Sequence, residues 1–502
     1  MLCQHLEKYL QRNPKMQNKY LFEGSEWDFN LVDRTMKELD KIAPELKLDI
    51  YPNQLEVITS EQMLDAYASV GLPVMYKHWS FGKQFSYESD MYRKGKRGLA
   101  YEMVLNTNPC INFLMEENTA TTQVLVLAHA GYGHNHVFKN NYMFKQWTDA
   151  SSIVDYLIFA KNFIAECEEK YGADEVEKTL DAAHALMNHG VDRYRRPSKL
   201  SLDKEREKQE ERKKYLQEQV NELWRTIPTT KAKPVEDTKF LKEPEENILY
   251  FLEKKSPKLK NWQREILRVV RKIAQYFEPQ RCTKVLNEGW ASFTHYYMMN
   301  RLYDKGLLSE GAMLEFLQLH TNVLYQPDFD SKYYNGMNPY YLGFEIFNDI
   351  RRICENPTAE DEEYFPDLMG VNWVDACIDA VANYRDESFI RQFLSPHLCR
   401  KMGLFLLNDD NKSDYLVKAI HDERGFKQIR KSLADNYLTE NYMPKIEVVD
   451  VDHYGTRKLT LMYYKVGNRE LSPQSKNVIK HIENLWGFPV ELVDQDMKQY
   501  KV

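Results

Sequence analysis

Nothing in this chain of 502 residues supports a membrane span, a disulfide framework or a nucleotide-binding loop. No stretch reaches the ~18 uninterrupted apolar residues that a bilayer crossing calls for. The seven cysteines (Cys3, Cys110, Cys167, Cys282, Cys354, Cys377 and Cys399) are odd in number and scattered, without a C-x-x-C pair. They read as free core thiols in a reducing compartment. A basic excess is missing too: 68 Lys and Arg face 75 Asp and Glu, and the net charge of −7 removes the electrostatic case for nucleic acid. The opening Met1–Lys8 has no basic segment ahead of an apolar run, so no secretory signal is expected and the chain is placed in the cytoplasm. Walker A, G-x-G-x-x-G behind a strand and G-x-S-x-G are all absent, which leaves nucleotide-dependent and serine-hydrolase chemistry without support.

Aromatic residues, by contrast, are plentiful. They make up 13% of the chain, with 33 tyrosines, and imply deep ring packing or ring-lined clefts. The 43% hydrophobic and 28% charged residues fit a globular protein with room for about two to four domains. Residues 1–200 mix amphipathic helices with short extended pieces. Tyr101–Asn106 and Cys110–Leu114 flank Asn108-Pro109 and predict strands or edge strands, and apolar spacing predicts a helix over Ala150–Tyr171. A second helix runs through Val176, Leu180, Ala183 and Met187. Residues 201–245 break this composition: Asp203–Lys214 carries no apolar stripe and prolines follow, which reads as a charged linker or insertion. Helices return over 246–415, at Asn261–Phe277, Glu288–Lys305, Ser309–Leu324, Leu342–Glu355, Met369–Tyr384 and Asp386–Phe393. Residues 420–502 change type again. Two alternating strands, Lys445–Val451 and Lys458–Tyr464, a helix over Ser472–Leu485 and a strand over Pro489–Val493 predict a small α+β module. The fold class expected is mainly α.

The most informative segment is His129-Ala130-Gly131-Tyr132-Gly133-His134-Asn135-His136, which follows the apolar run Val124–Ala128. On a regular helix His129 and His134, five apart, point to different sides. Gly131 and Gly133 permit a bulge or kink, and a π-bulge would bring that spacing nearly into stack. Three satisfied histidines in a polar helix contact are the alternative. Farther on, Glu288 and His295 lie seven apart, along one face of a helix. A carboxylate joining two imidazoles makes the N,N,O set of catalytic zinc, and iron or manganese accept it as well. The ligands expected are therefore His129, His134 and Glu288. Glu288 could instead be an acid stabilised at a helix N-terminus. Glu117 can donate a general base, and Tyr340 a hydroxyl beside a helix start.

Gly98–Glu102, His129 through Asn141, Trp147–Ala150, Glu288–Phe293 and Asn338–Tyr340, together with His78–Lys83 and Leu180–Pro197, resemble the bacterial stage V sporulation protein R family over nearly the whole chain. The resemblance implies a cytoplasmic bacterial protein tied to spore cortex formation, or to stress and stationary phase where no spores form. It also implies a PrkA-type serine kinase and a von Willebrand-type protein as partners. The layout of strand, histidine helix and later Glu-Gly-x-Ala helix is similar to gluzincin-type metallopeptidases, which implies a zincin-like helical core with a short edge strand or small sheet. By that likeness His129 is the first ligand and Glu288 the third. Ala130, however, stands where those enzymes carry their general-base glutamate, and the second histidine is displaced by one position. His136, His295, Glu117 and Tyr340 are the candidates to carry the proton instead, with His136 or His295 also able to serve as fourth ligand. The expectation is a metal-dependent hydrolase of amide bonds, in peptide or cell-wall precursor, probed against two rivals: a non-catalytic scaffold for the kinase and its companion, and an iron-dependent redox enzyme.

Overall fold

Glu102–Leu105 and Cys110–Met115, the strands expected around Asn108-Pro109, pair antiparallel. A third strand, Asn53–Ile58, runs parallel to Cys110–Met115 on its other side, so Glu102–Leu105 is an edge and Glu102 is its first residue. This computed structural model describes residues 20–68, 75–94, 102–192, 245–408, 416–420, 422–439, 443–452, 455–465, 470–496 and 498–500. The charged stretch 201–244, Gly98–Tyr101, the tail of the Leu180–Pro197 segment, and His453 and Tyr454 between the two expected strands lie outside them.

Behind the sheet, Thr119 accepts the backbone N–H of Thr122 at 3.2 Å and starts the helix Ala120–Val126. That helix passes into a π-helical turn, Leu127–His134, and then into Asn135–Asn140. Every residue from Ala120 to Phe138 is buried, as befits a helix that carries no charged side chain over that stretch apart from its histidines. The 21-residue helix Lys284–Asp304 packs on the π-helical turn along one side and on the helix Pro339–Glu355 along another. Both contacts depend on small residues. A Cβ on Gly133 would lie 2.6 Å from the Ala291 Cα, and one on Gly289 would lie 2.4 Å from the Gly343 backbone.

Around this contact sits an aromatic core. Trp290 meets Phe347 at 5.1 Å between ring centres, Phe347 meets Phe389 at 5.0 Å, and all three rings are fully buried. Burying a ring of this size stabilises by about 1.5–3 kcal/mol. The expected helices form, with shifted ends: Ile153–Tyr171, Ala173–Ala185, Asn261–Cys282, Glu310–Leu324, Trp373–Asn383 and Asp386–Phe393. A short hairpin, Leu406–Asn408 with Leu416–Ala419, was not anticipated by the pattern.

The chain divides into two compact units, Met1–Glu169 with Tyr276–Leu438, and Lys170–Gln275 with Thr439–Val502. The second contains a four-stranded sheet in sequential order, Lys445–Val451, Leu459–Tyr464, Val490–Asp494 and Gln499–Tyr500. Its parallel pair is joined through the helix Ser475–Trp486. Trp486 packs on Phe251 at 5.6 Å, and Ser256 Oγ donates to the Leu485 carbonyl at 2.7 Å. The architecture is mainly α with small sheets and a C-terminal strand module, and no helix among the described residues is long and apolar enough to cross a membrane.

Candidate metal centre

A π-helical turn spaces residues five apart about as an α-helix spaces residues four apart, so it brings His129 and His134 side by side. Their ring centres are 4.6 Å apart, with planes at 89°. The widened turn is held from the sheet. Asn53 Nδ2 donates to the Gly131 carbonyl at 3.0 Å, and Asn135 exchanges hydrogen bonds with the Tyr51 backbone at 2.8 Å in both directions. Asn135 also donates to Asn53 Oδ1 at 2.9 Å. The backbone irregularity is thus stabilised by two neighbours, Tyr51 and Asn53, and is not a frayed end.

Two carboxylates meet these rings. His129 Nε2 lies 3.3 Å from Glu102 Oε1 and 3.8 Å from Glu288 Oε2, and His134 Nε2 lies 3.4 Å from the same Glu288 oxygen. Donors bonded tetrahedrally to one zinc at about 2.0–2.1 Å stand about 3.3 Å from one another, so the spacing fits a shared ion. Glu102, His129 and His134 each place one donor atom within 4.8 Å of the others. Glu102 Oε2 is buried with no hydrogen-bond partner, and the buried Glu288 Oε2 faces only the two imidazoles, outside good hydrogen-bond geometry. Such oxygens are costly to bury unless a cation or proton satisfies them. The donor set therefore fits a divalent transition ion. The imidazole side chains are 6% and 8% exposed and those of the two glutamates 17% and 19%.

Without a cation, the charges sort themselves. Burial works to raise the Glu288 carboxyl, but His134 and His129 override it and hold it far below the usual range. Burial works against a charge on His134 as well, and Glu288 with Glu102 lifts that imidazole to about 8. Burial dominates at Glu102 and raises it despite the two histidines. Two acids in one site are pushed in opposite directions, the arrangement that separates an anionic ligand from a proton carrier.

Behind the donors lies a set of positioning contacts. His134 Nδ1 donates to Asn287 Oδ1 at 2.9 Å. His129 Nδ1 lies 2.8 Å from His295 Nδ1, and His295 Nε2 lies 2.7 Å from His320 Nδ1. Burial drives the His295 imidazole well below its ordinary value and His320 to about 4, so both rings are neutral.

The structure brings His129, His134 and Glu288 together and places His295 directly behind them. The other candidates are engaged elsewhere. His136 accepts the Asp49 N–H on Nδ1 at 3.0 Å and packs on Trp290. Glu117 is exposed and accepts the Ser60 N–H at 3.1 Å. Tyr340 sits in the first turn of Pro339–Glu355, its N–H capped by Asn338. Glu288 is a full turn inside the helix that begins at Lys284, so a terminal-dipole role does not describe it. Glu102, Asn287 and His320 were not singled out by pattern. Only Glu102 left a trace, as a lone acid opening an apolar strand.

Residues 26–442 match the family described as SpoVR like protein, and residues 444–497 match the SpoVR-like C-terminal domain. The uncharacterized protein YcgB of Escherichia coli (strain K12) is 53% identical over 479 residues, covering 95% of this chain and 94% of its own length. No solved structure matches. With both segments matched and a full-length relative at this identity, the chain belongs to the SpoVR family.

Proposed function

We propose that the chain is a metal-dependent hydrolase of amide bonds with a zincin-like centre, in which His129, His134 and Glu288 hold a divalent transition ion, zinc first among them. The observation that carries this reading is that His129 Nε2 lies 3.3 Å from Glu102 and 3.8 Å from Glu288 while His134 Nε2 lies 3.4 Å from Glu288, with both Nδ1 atoms already taken by hydrogen bonds. Bound there, the ion supplies Lewis-acid polarisation of a carbonyl. Glu102 fills the role that Ala130 leaves open: its Oε2 takes a proton from the attacking water as the carbon–oxygen bond forms. It then returns that proton to the amine nitrogen as the carbon–nitrogen bond breaks. The base reaches the site from the edge strand rather than from the histidine helix. Among the described residues that strand pairs on one side only, which suits an extended peptide or a peptide-bearing cell-wall precursor as substrate. Free cysteines at Cys110, Cys167, Cys282, Cys354, Cys377 and Cys399 agree with work in a reducing cytoplasm.

Metal analysis of the purified protein, with turnover of a peptide mixture, tests the assignment. Glu288→Ala is expected to lose the ion. Glu102→Gln is expected to keep it while activity falls by about 10²–10⁴-fold. A protein that carries no transition metal, and whose metal-free form takes none up, removes the reading. Iron in place of zinc, with no amide cleavage, would favour oxidative chemistry on the same donors.

A further inference from the structure

The two histidines at the centre are held by different kinds of partner. His134 faces Asn287 Oδ1, and a carbonyl oxygen only accepts. Its Nδ1 therefore carries a proton, which leaves Nε2 as the one atom of this ring that a cation can use. His129 has no dedicated acceptor. Its Nδ1 faces the Nδ1 of His295, whose Nε2 in turn faces the Nδ1 of His320. Each ring nitrogen in this line can donate or accept, and each contact holds one proton.

With one proton in each contact, the three imidazoles have two self-consistent arrangements. In one, His129 Nδ1–H donates to His295 Nδ1, His295 Nε2–H donates to His320 Nδ1, and His129 Nε2 is left with a lone pair. In the other every bond is reversed, and His129 Nε2–H points at the carboxylates of Glu102 and Glu288. Only the first can bind a cation. Neither His295 (1% exposed) nor His320 (6%) can exchange its partner freely with bulk water. Rings fix the planes of the outer two: Tyr296 stacks on His320 at 4.9 Å, Phe344 meets it edge-on at 4.9 Å, and Phe316 packs against His295 at 6.0 Å.

We propose that His295 and His320 are positioning residues that hold His129 in its metal-competent tautomer, with His320 Nδ1 as the terminal acceptor of the line. The inference rests on the metal-centre reading above, and it assigns a role to a helix, Glu310–Leu324, that contributes no ligand. Second partners of ligating histidines set the tautomer and basicity of the ring, and their loss costs about 10–100-fold in metal affinity.

The test is zinc affinity of the full chain, measured by competition with a chromophoric chelator, for wild type, His320→Leu and His320→Gln. Leucine removes the acceptor, and affinity is expected to fall about tenfold or more. Glutamine offers an acceptor oxygen and is expected to recover most of that loss, with a cobalt(II) absorption envelope close to wild type. Equal affinity in all three overturns the inference and leaves the metal centre standing. A wild type that binds no zinc overturns both. Should His320→Leu fail to fold, nitrogen-15 NMR of the zinc-loaded wild type decides. Protons on His129 Nδ1 and His295 Nε2 support the assignment, and a proton on His295 Nδ1 refutes it.

Discussion

Asp386 shows how far a single buried acid can set the behaviour of the helix that carries Glu288. It accepts the Leu286 N–H at 2.9 Å, with the Val285 and Lys284 backbones facing the same carboxyl, and so caps Lys284–Asp304 from 100 residues away. Burial raises it from 3.8 to about 7, with the backbone donors pulling against the rise. A carboxyl raised on folding contributes stability that is fully present below about 3.8 and is lost as pH climbs through about 7. Asp386→Asn keeps a neutral acceptor and removes the titration. Its melting temperature is expected to match wild type below about pH 3.8 and to exceed it at pH 8. A constant offset between the two across that range would show that Asp386 does not titrate in this window. At this scale the sequence was legible wherever functional residues crowd together. His129 and His134 stood out because imidazoles are rarely that dense, and Glu288 because it opens a small-residue helix face. Glu102, Asn287 and His320 are lone residues on separate segments, and no local pattern marks a side chain whose partners lie elsewhere in the chain.

At the scale of elements, the π-helical turn decides the site, and Gly133 decides where the turn can sit. A Cβ there meets the Ala291 backbone at 2.6 Å, and no change of rotamer relieves contact with main chain. Gly133→Ala is expected to destabilise by about 1–3 kcal/mol, as overpacking does, and to weaken zinc binding by spreading His134 from Glu288. Thermal melts with chelator competition check both effects; unchanged values in both would mean the two helices can separate without cost. Helices were readable from apolar spacing, and the glycines beside the histidines announced an irregular turn. The strand Asn53–Ile58 was missed because its polar residues face the π-turn through Asn53, so it lacks the run of apolar residues that marks a strand. The hairpin at Leu406–Asn408 is too short to produce a period.

For the whole molecule, the two units are interleaved along the chain, and the C-terminal module completes a unit that begins at Lys170. Its sheet bridges to Glu245 through Val448, and its helix buries Ile479, Ile482 and Trp486. Removing residues 444–502 uncovers Phe251 and leaves Ser256 without its carbonyl partner. The truncated protein is expected to bind a hydrophobic dye and to aggregate on gentle heating, whereas a monodisperse, dye-silent product would show that Lys170–Gln275 needs no cover. The C-terminal α+β pattern was legible because its strands alternate cleanly. The interleaving was not, since nothing local says which distant stretch a helix will pack against.

That order along the chain also sets a schedule during synthesis. Asn287 follows His134 by 153 residues, and Glu288 comes directly after it. At about 5–20 residues per second, the nascent chain carries Glu102, His129 and His134 for roughly 8–30 s before the helix that should cover them leaves the ribosome. For that interval the buried π-turn has no Ala291 to rest on. A growing chain that captures its ion early would hold it by an incomplete grip, and a correct fit has to wait for the last arrival.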